Sequence, residues 1–221
     1  MKHRLELYVT LRSPYSYLAS PRLVEIARDI DIPVSFRPVY PIAIRIPDFF
    51  EKSDPLWISY LQRDTARVSE MNGIPFVWPK PDPIVQDIAT RKISADQPYI
   101  RRLTRLAVAA EEKGRGLAFY AEVAKLIFGG TAGWDQGSHM NEAAARAGLD
   151  LAALDAAIAA DPTGYDDKIA ANEAAQRQAG HWGTPLLVFD GEPFFGQDRI
   201  DMCLWRMRQS GVRISSDPAA P

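Results

Sequence analysis

Residues 13–16 read Ser-Pro-Tyr-Ser and lie between the apolar segment Leu5–Leu11 and a stretch with helical periodicity. Leu5–Leu11 begins with alternating apolar and polar residues, which indicates a β-strand. Apolar residues such as Leu18 and Leu23 then recur at helical spacing. Serine followed by proline is typical of a helix N-cap and first position. The sequence therefore places Ser13 at a helix N-terminus, where backbone N–H groups and the macrodipole stabilise negative charge.

The next segments continue this pattern. Ile32–Val39 predicts a second short strand, and its prolines confine it to irregular or edge geometry. The chain then carries mainly helical signals up to about residue 180, and we expect Ile84–Thr90 to add a short helix there. Leu186–Phe189 and Pro193–Phe195 predict a hairpin around Asp190-Gly191, followed by a helix that ends near residue 209.

This order, βαβ, helices and then ββα, predicts a two-layer α/β domain interrupted by an all-helical insertion. We assign residues 1–42 to the first half of the α/β domain, 43–180 to the insertion and 181–214 to the second half. The polar, Pro-rich tail 215–221 is expected to be disordered.

Composition narrows the possible functions. The chain has 221 residues, 47% of them apolar and 24% charged, with a net charge of −2. This profile is that of a globular protein and gives no electrostatic reason to expect nucleic acid or an acidic membrane as a partner. The sequence shows neither a signal peptide nor a stretch long enough to span a bilayer, so we expect a cytoplasmic protein.

Cysteine and histidine exclude other classes of site. The single cysteine, Cys203, rules out an intramolecular disulfide, a cysteine-rich zinc site and dithiol redox catalysis. We interpret it as a buried structural thiol in the last helix. The three histidines lack metal-ligand spacing, so we expect no metal.

Three segments are candidates for chemistry. Ser13 is either an ordinary cap or a group that acts on a ligand, and Gly183-Thr184-Pro185 is either a loop before a strand or a ligand-binding turn. The third is Phe194–Arg199, in which Gly196 permits close backbone approach. Here Gln197 or Asp198 is expected to cap the last helix, and Asp198 is also a candidate to accept from an ammonium group.

Four segments together carry a resemblance to a known family. They are Ser-Pro-Tyr-Ser-Tyr-Leu-Ala (13–19), Gly-Ile-Pro-Phe (73–76), Gly-Thr-Pro (183–185) and Phe-Phe-Gly-Gln-Asp-Arg-Ile (194–200). In this order they resemble the 2-hydroxychromene-2-carboxylate isomerase family, which is related to kappa-class glutathione transferases and DsbA-type proteins. The likeness spans about residues 4–210 and implies a thioredoxin-like fold, in which hydroxyls replace the usual Cys-x-x-Cys sulfurs.

The resemblance also implies a ligand and site residues. Glutathione would lie across the loop at Pro185, with its sulfur near Ser13. The Ser13 hydroxyl would favour the thiolate form of the glutathione thiol, for which the reference pKa is about 8.5. Thr184 would pair its backbone with the cysteinyl unit, while Gln197 and Asp198 would hold the γ-glutamyl end. In the family the thiolate adds reversibly to an unsaturated aromatic keto acid, and elimination regenerates glutathione.

Alternatives remain open at this stage. A kappa-like glutathione transferase would use the same thiolate on an electrophile, and a non-catalytic thioredoxin-like module would use the cleft only for binding. The family also implies a homodimer. Where family members hold the glycine end of glutathione with Asn and Lys, this chain offers Arg45 or Lys52 as candidates, and its first strand has Thr10 in place of a common Asp. The candidate lining of a second-substrate pocket is Phe49, Phe50, Trp57 and Trp78.

Overall fold

The computed structural model describes residues 3–87 and 89–215, and its strands form one mixed sheet. The strands are β1 (Leu5–Val9), β2 (Val34–Pro38), β3 (Leu186–Phe189) and β4 (Glu192–Phe195). Their order in the sheet is β2-β1-β3-β4. β2 runs parallel to β1, whereas β3 is antiparallel to both β1 and β4. This βαβ–ββα arrangement confirms the predicted fold class.

The helices lie between and after these strands. Their bounds in chain order are α1 (Pro14–Asp29), α2 (Ile42–Arg45), α3 (Phe49–Lys52), α4 (Pro55–Asn72), α5 (Pro98–Glu112), α6 (Gly116–Phe128), α7 (His139–Arg146), α8 (Leu151–Ala160), α9 (Pro162–Gln178) and α10 (Ile200–Gln209). A short 3-10 turn, Gln197–Arg199, precedes α10. Helices α2 to α9 therefore separate β2 from β3, as the sequence predicts.

Local sequence explains three features of this fold: the start of α1, the proline in β2 and the β3–β4 turn. Ser13 caps α1 and Pro14 occupies a first-turn position, as predicted. β2 is an edge strand and therefore tolerates Pro38. The β3–β4 turn uses Asp190 and Gly191 with φ of 50° and 90°, which is the left-handed geometry that a tight hairpin needs.

Both faces of β1 are covered: α1 and α10 pack on one face, and α9 of the helical insertion packs on the other. Every residue of Leu5–Val9 is buried, which requires packing on both sides of β1. Leu7 and Leu187 face the main core, which includes residues of α1 and α10. Tyr8 and Leu186 face the other side, where Ala175 of α9 packs against them. The boundary at residue 180 stays a prediction, although α9 contacts the sheet directly.

The short helix predicted over 84–90 is not formed by its described residues. Gln86 instead pairs with Ile93 in an antiparallel bridge. The Asp82 carboxylate accepts from the Ile84 N–H, and the Asp87 carboxylate accepts from the Thr90 N–H. These local bonds compete with helical hydrogen bonds for the backbone donors. Of the predicted tail 215–221, residues 216–221 lie outside the described residues.

Candidate functional site

The Ser13 hydroxyl connects the start of α1 to the loop before β3. Its oxygen accepts a hydrogen bond from the Ser16 N–H at 3.2 Å. Its proton is donated to the carbonyl oxygen of Thr184 at 3.3 Å. Two of the predicted site residues, far apart in sequence, are therefore in direct contact at a helix N-terminus.

The proline loop in turn contacts the third predicted segment. The Thr184–Pro185 peptide bond is cis. The Pro185 carbonyl accepts from the Gly196 N–H at 2.9 Å, one step beyond the paired strands β3 and β4. Gly196 has a φ of 102°, a conformation that favours glycine. The three segments chosen from the sequence thus converge through hydrogen bonds between Ser13, Thr184, Pro185 and Gly196.

Gln197 and Asp198 lie beside this contact rather than inside the main cavity. Gln197 is half-buried in the 3-10 turn, which packs against α1. Asp198 is exposed, and its carboxylate pairs with Arg199 at 2.8 Å. Its charge contributes to raising the pKa of Tyr15, so it faces the first turn of α1. Neither residue caps α10, because the N-cap position belongs to Arg199, which makes no side-chain cap bond.

A cavity of about 610 Å³ opens beside Ser13 and Thr184. The four aromatic residues predicted to line a pocket all line it: Phe49, Phe50, Trp57 and Trp78. Tyr15, Trp182 and Phe195 are further aromatic residues of the lining. The lining is mainly apolar, which suits a planar or hydrophobic ligand with a few polar groups.

One side of this cavity is a cluster of aromatic rings from three elements. The ring of Phe49 lies 5.7 Å from that of Trp57 and 5.8 Å from that of Trp182, in edge-to-face arrangements. Trp57 belongs to α4, and Trp182 belongs to the loop before β3. The cluster therefore joins the inserted helices to the proline loop across the cavity, with geometry that favours aromatic pairs.

Thr10 is a buried polar residue of the same cavity. It follows β1 directly and is 4% exposed. Among the described residues its hydroxyl has no hydrogen-bond partner. Because an unpaired buried hydroxyl costs free energy, a polar ligand atom that reached Thr10 would recover a hydrogen bond.

Arg12 fixes the segment that directly precedes Ser13 and the start of α1. Its guanidinium binds Asp82 through two hydrogen bonds of 2.6 and 2.7 Å. It also stacks over the ring of Trp78 at 5.4 Å. The paired charge and the planar contact hold the residue before Ser13 in place.

Arg45 provides positive charge that faces neutral partners. Its Nη1 donates to Gln176 at 3.0 Å, and its Nη2 donates to the Trp182 carbonyl at 2.9 Å. Its Nε is buried without a partner among the described residues. Burial lowers the pKa of Arg45, while Glu173 raises it and Arg177 lowers it further. This cavity-lining guanidinium can therefore accept an anionic group.

The other candidate for that role lies elsewhere. Lys52 is highly exposed and pairs with Asp48 one helical turn earlier, and it is not among the residues that line the cavity. Arg91 does line the cavity, and its Nη1 lies 3.4 Å from the Phe50 carbonyl. Of Arg45 and Lys52, the geometry therefore favours Arg45 as the residue that binds an anionic end of the ligand.

Tyr15 connects α1 with α4 through Asp64, which also accepts a bond from Tyr60 within α4. The Tyr15 hydroxyl donates to Asp64 at 2.5 Å, and the Tyr60 hydroxyl donates to the same carboxylate at 3.2 Å. Burial, followed by the bond to Asp64, raises the pKa of Tyr15 well above its ordinary value. Tyr15 is therefore a protonated donor at neutral pH, and its contact fixes the position of α4.

The other features considered in the sequence, such as the single cysteine, do not contribute to this cavity. Cys203 is buried, as predicted, and burial raises the pKa of its thiol to about 12. Within the described residues, no group of three or more potential metal ligands is clustered. Nor does any helix in that part of the chain have the length and apolar character to cross a bilayer.

Sequence reasoning missed Gln176, Asp64 and the contact of Arg12 with Asp82. Gln176 is fully buried and bridges Arg45 to the Gly183 carbonyl. A glutamine in an alanine-rich helix carries no local signal of such a role. A role for Arg12 was easier to infer than one for Gln176, because Arg12 directly precedes the turn at the end of the first strand.

Solved structures show the same fold. A structure of selenomethionine 2-hydroxychromene-2-carboxylate isomerase aligns with a TM-score of 0.71 and 19% identity, covering 94% of this chain and 96% of its own. A probable DsbA oxidoreductase from Streptomyces coelicolor aligns at 0.66 and 18%, covering 99% and 93%. The cytosolic disulfide reductase DsbM from Pseudomonas aeruginosa, solved with GSH, aligns at 0.61 and 16%, covering 94% and 99%.

No curated protein matches the chain with significance. A family model described as a DSBA-like thioredoxin domain matches residues 4–207. Because this match covers most of the 221 residues, the chain belongs to the DsbA-like thioredoxin family.

Proposed function

We propose that the chain is a glutathione-dependent isomerase of the 2-hydroxychromene-2-carboxylate type, acting on an unsaturated aromatic keto acid. The observation that carries the proposal is the contact of the Ser13 hydroxyl with the Thr184 carbonyl at the edge of an aromatic cavity. A hydroxyl at a helix N-terminus favours a thiolate, and this chain has no thiol of its own there. When bound, glutathione would supply the nucleophile.

The residues present fit such a ligand. The Ser13 proton is held by a long bond to Thr184, so it can turn to a ligand sulfur without breaking the helix cap. The Thr10 hydroxyl is buried without a described partner at the same cavity. Arg45 would hold the glycine carboxylate, and Asp198 would accept from the γ-glutamyl amine. The solved DsbM structure with GSH supports glutathione as a ligand of this fold.

The chain's groups would also orient the second substrate. The seven aromatic residues of the cavity offer flat apolar surface, and Arg91 offers positive charge to a carboxylate. The cluster of Phe49, Trp57 and Trp182 would exclude water from one side of the reacting atoms. These contacts support an aromatic anion over a neutral alkyl electrophile.

A kappa-like transferase remains the second candidate, because conjugation would use the same Ser13-stabilised thiolate. The two activities differ in their thiol balance. Isomerisation returns glutathione, whereas conjugation consumes one thiol per turnover. We therefore expect hydroxychromene carboxylate to be converted with no loss of free thiol, and a chloronitrobenzene electrophile to react slowly.

Titration calorimetry with glutathione and S-methylglutathione tests the binding step on which both activities depend. We expect both ligands to bind, with the free thiol bound more tightly near neutral pH because Ser13 stabilises its ionised form. Absence of binding by either ligand at millimolar concentration would leave a non-catalytic thioredoxin-like module as the better interpretation. Binding without conversion of either substrate would contradict the isomerase and the transferase together.

A further inference from the structure

His181 is bound to the loop that carries Thr184. Its Nδ1 lies 2.8 Å from the Gly183 backbone nitrogen and accepts that N–H. A backbone N–H can only donate, so Nδ1 carries no proton in this arrangement. The neutral imidazole therefore has its proton on Nε2, and its other nitrogen fixes the residue before Thr184.

The ring has little freedom to leave this position. It stacks on Phe195 with a centroid distance of 4.0 Å, and on Trp182 at 5.6 Å. A Cβ at Gly183 would lie 2.2 Å from Phe195 and 2.9 Å from the His181 ring. The loop and the imidazole are thus packed so closely that the hydrogen bond cannot be lost without moving one of them.

We propose that His181 is a positioning residue that holds Thr184 ready for ligand while its imidazole is neutral, and that its protonation weakens ligand binding. A proton on Nδ1 would place two donors against each other at the Gly183 N–H. The loop would then shift, and with it the Thr184 carbonyl that contacts Ser13. The part of this inference that concerns ligand binding rests on the proposed function.

The surroundings of the ring favour its neutral form. Within the described residues, the hydrogen bond and ring contacts of His181 involve Gly183, Trp182 and Phe195, none of which is charged. Charged groups of neighbouring elements include the Arg45 guanidinium of α2, which binds the Trp182 carbonyl, and Glu173 and Arg177 of α9, which both act on Arg45. On β4, Glu192 pairs with Arg206 of α10.

Burial lowers the pKa of His181 below its ordinary value of 6.5. The folded protein consequently binds this proton less readily than the unfolded chain does. The contribution of the neutral ring to folding is present above pH 6.5 and decreases as the pH falls towards the lower pKa of the folded state. Acidification should therefore act on the loop and on stability in the same direction.

Two variants separate the acceptor from the ring. In His181→Asn, the side-chain oxygen can accept from the N–H two residues later, as in an Asx turn, and it does not titrate. In His181→Phe, stacking on Phe195 is retained and the acceptor is lost. S-methylglutathione is the probe, since its thiol is blocked and its remaining groups keep their charge between about pH 5 and 7.

We expect the wild-type affinity for S-methylglutathione to fall about tenfold at the acid end of this range. The Asn variant should bind with nearly constant affinity across it, and the Phe variant should bind weakly throughout. Equal pH dependence of the wild type and His181→Asn would overturn the inference. Wild-type affinity in His181→Phe would overturn it as well.

An NMR titration of the ligand-free protein keeps this result separate from the proposed function. The chain has three histidines, so the His181 resonance is assigned by its loss in His181→Asn. We expect the Gly183 amide shift to follow the His181 imidazole with one midpoint below 6.5. If that coupling is seen but no glutathione analogue binds at any pH, the proposed function fails and the loop coupling stands. Independent titration of the two signals would refute the coupling itself.

Discussion

The Ser13 hydroxyl donates a hydrogen bond to the Thr184 carbonyl across 171 residues of sequence. This contact places the cap of α1 beside the loop before β3, at the mouth of the aromatic cavity. Both atoms belong to groups that can exchange the bond for a ligand: the hydroxyl for a sulfur, and the carbonyl for a backbone N–H. The contact thus has the geometry of a site that a thiol-bearing peptide would complete.

Replacing Gly183 with alanine should impair the proline loop. The added Cβ would lie 2.2 Å from the Phe195 ring, so the ring or the loop must move. We expect a loss of about 1–3 kcal/mol in the free energy of unfolding and at least tenfold weaker glutathione binding. Chemical denaturation and calorimetry measure the two effects.

Gly116→Ala is the matched control for that variant. Its Cβ would lie 2.6 Å from Phe36 and 2.4 Å from Glu111, in a part of the fold that does not line the cavity. It should destabilise the protein while leaving the affinity of the folded fraction unchanged. If Gly183→Ala binds glutathione as Gly116→Ala does, the loop does not contact the ligand.

Arg45→Met tests which end of the ligand the guanidinium holds. We expect affinity for glutathione to fall roughly tenfold or more, because a charge-assisted bond to the glycine carboxylate is lost. Affinity for γ-glutamylcysteine, which lacks glycine, should change little. Equal weakening of both ligands would mean that Arg45 acts only by supporting Trp182. Lys52→Met is the control and should leave both affinities unchanged.

Tyr15→Phe should loosen the attachment of α4. The variant loses the 2.5 Å bond to Asp64 and leaves that carboxylate with a weaker partner. We expect a decrease of about 1–2 kcal/mol in the free energy of unfolding. Tyr60→Phe, at an exposed position with a 3.2 Å bond, should cost less than about 0.5 kcal/mol. Similar values for the two variants would contradict the assignment of Tyr15 as the main link.

Cys203 should be unreactive in the native protein. Its thiol is fully buried, and burial raises its pKa to about 12, so almost no thiolate is present at neutral pH. Iodoacetamide should label it only after denaturation, and glutathione disulfide should form no mixed disulfide with the folded chain. Rapid labelling of the native protein would show that α10 is packed less tightly than described.

Local signals in the sequence were sufficient for much of this site. The cap at Ser13 and the hairpin at Asp190-Gly191 each depend on a few neighbouring residues, and both were predicted. The helix predicted over 84–90, which its described residues do not form, shows the limit of inference from local sequence. There the Asp82 and Asp87 side chains take backbone donors that a helical pattern would assign to the helix.

Contacts between distant segments were not accessible in the same way. The placement of α9 on the second face of the sheet depends on how the whole insertion folds back, which helical periodicity does not record. The same holds for Gln176, whose two bonds reach Arg45 and Gly183. Such positions become visible only when tertiary packing brings buried polar groups together.

The most direct test of the account is the ionisation of glutathione bound to wild type and to Ser13→Ala, followed by ultraviolet thiolate absorbance as a function of pH. Loss of the hydroxyl donor should lower the thiolate-to-thiol ratio of the bound ligand about tenfold or more at a given pH. Asp150→Ala, which removes the cap of α8 away from the cavity, should leave the ratio unchanged. Identical ionisation in wild type and Ser13→Ala would contradict the role of Ser13 in stabilising a thiolate.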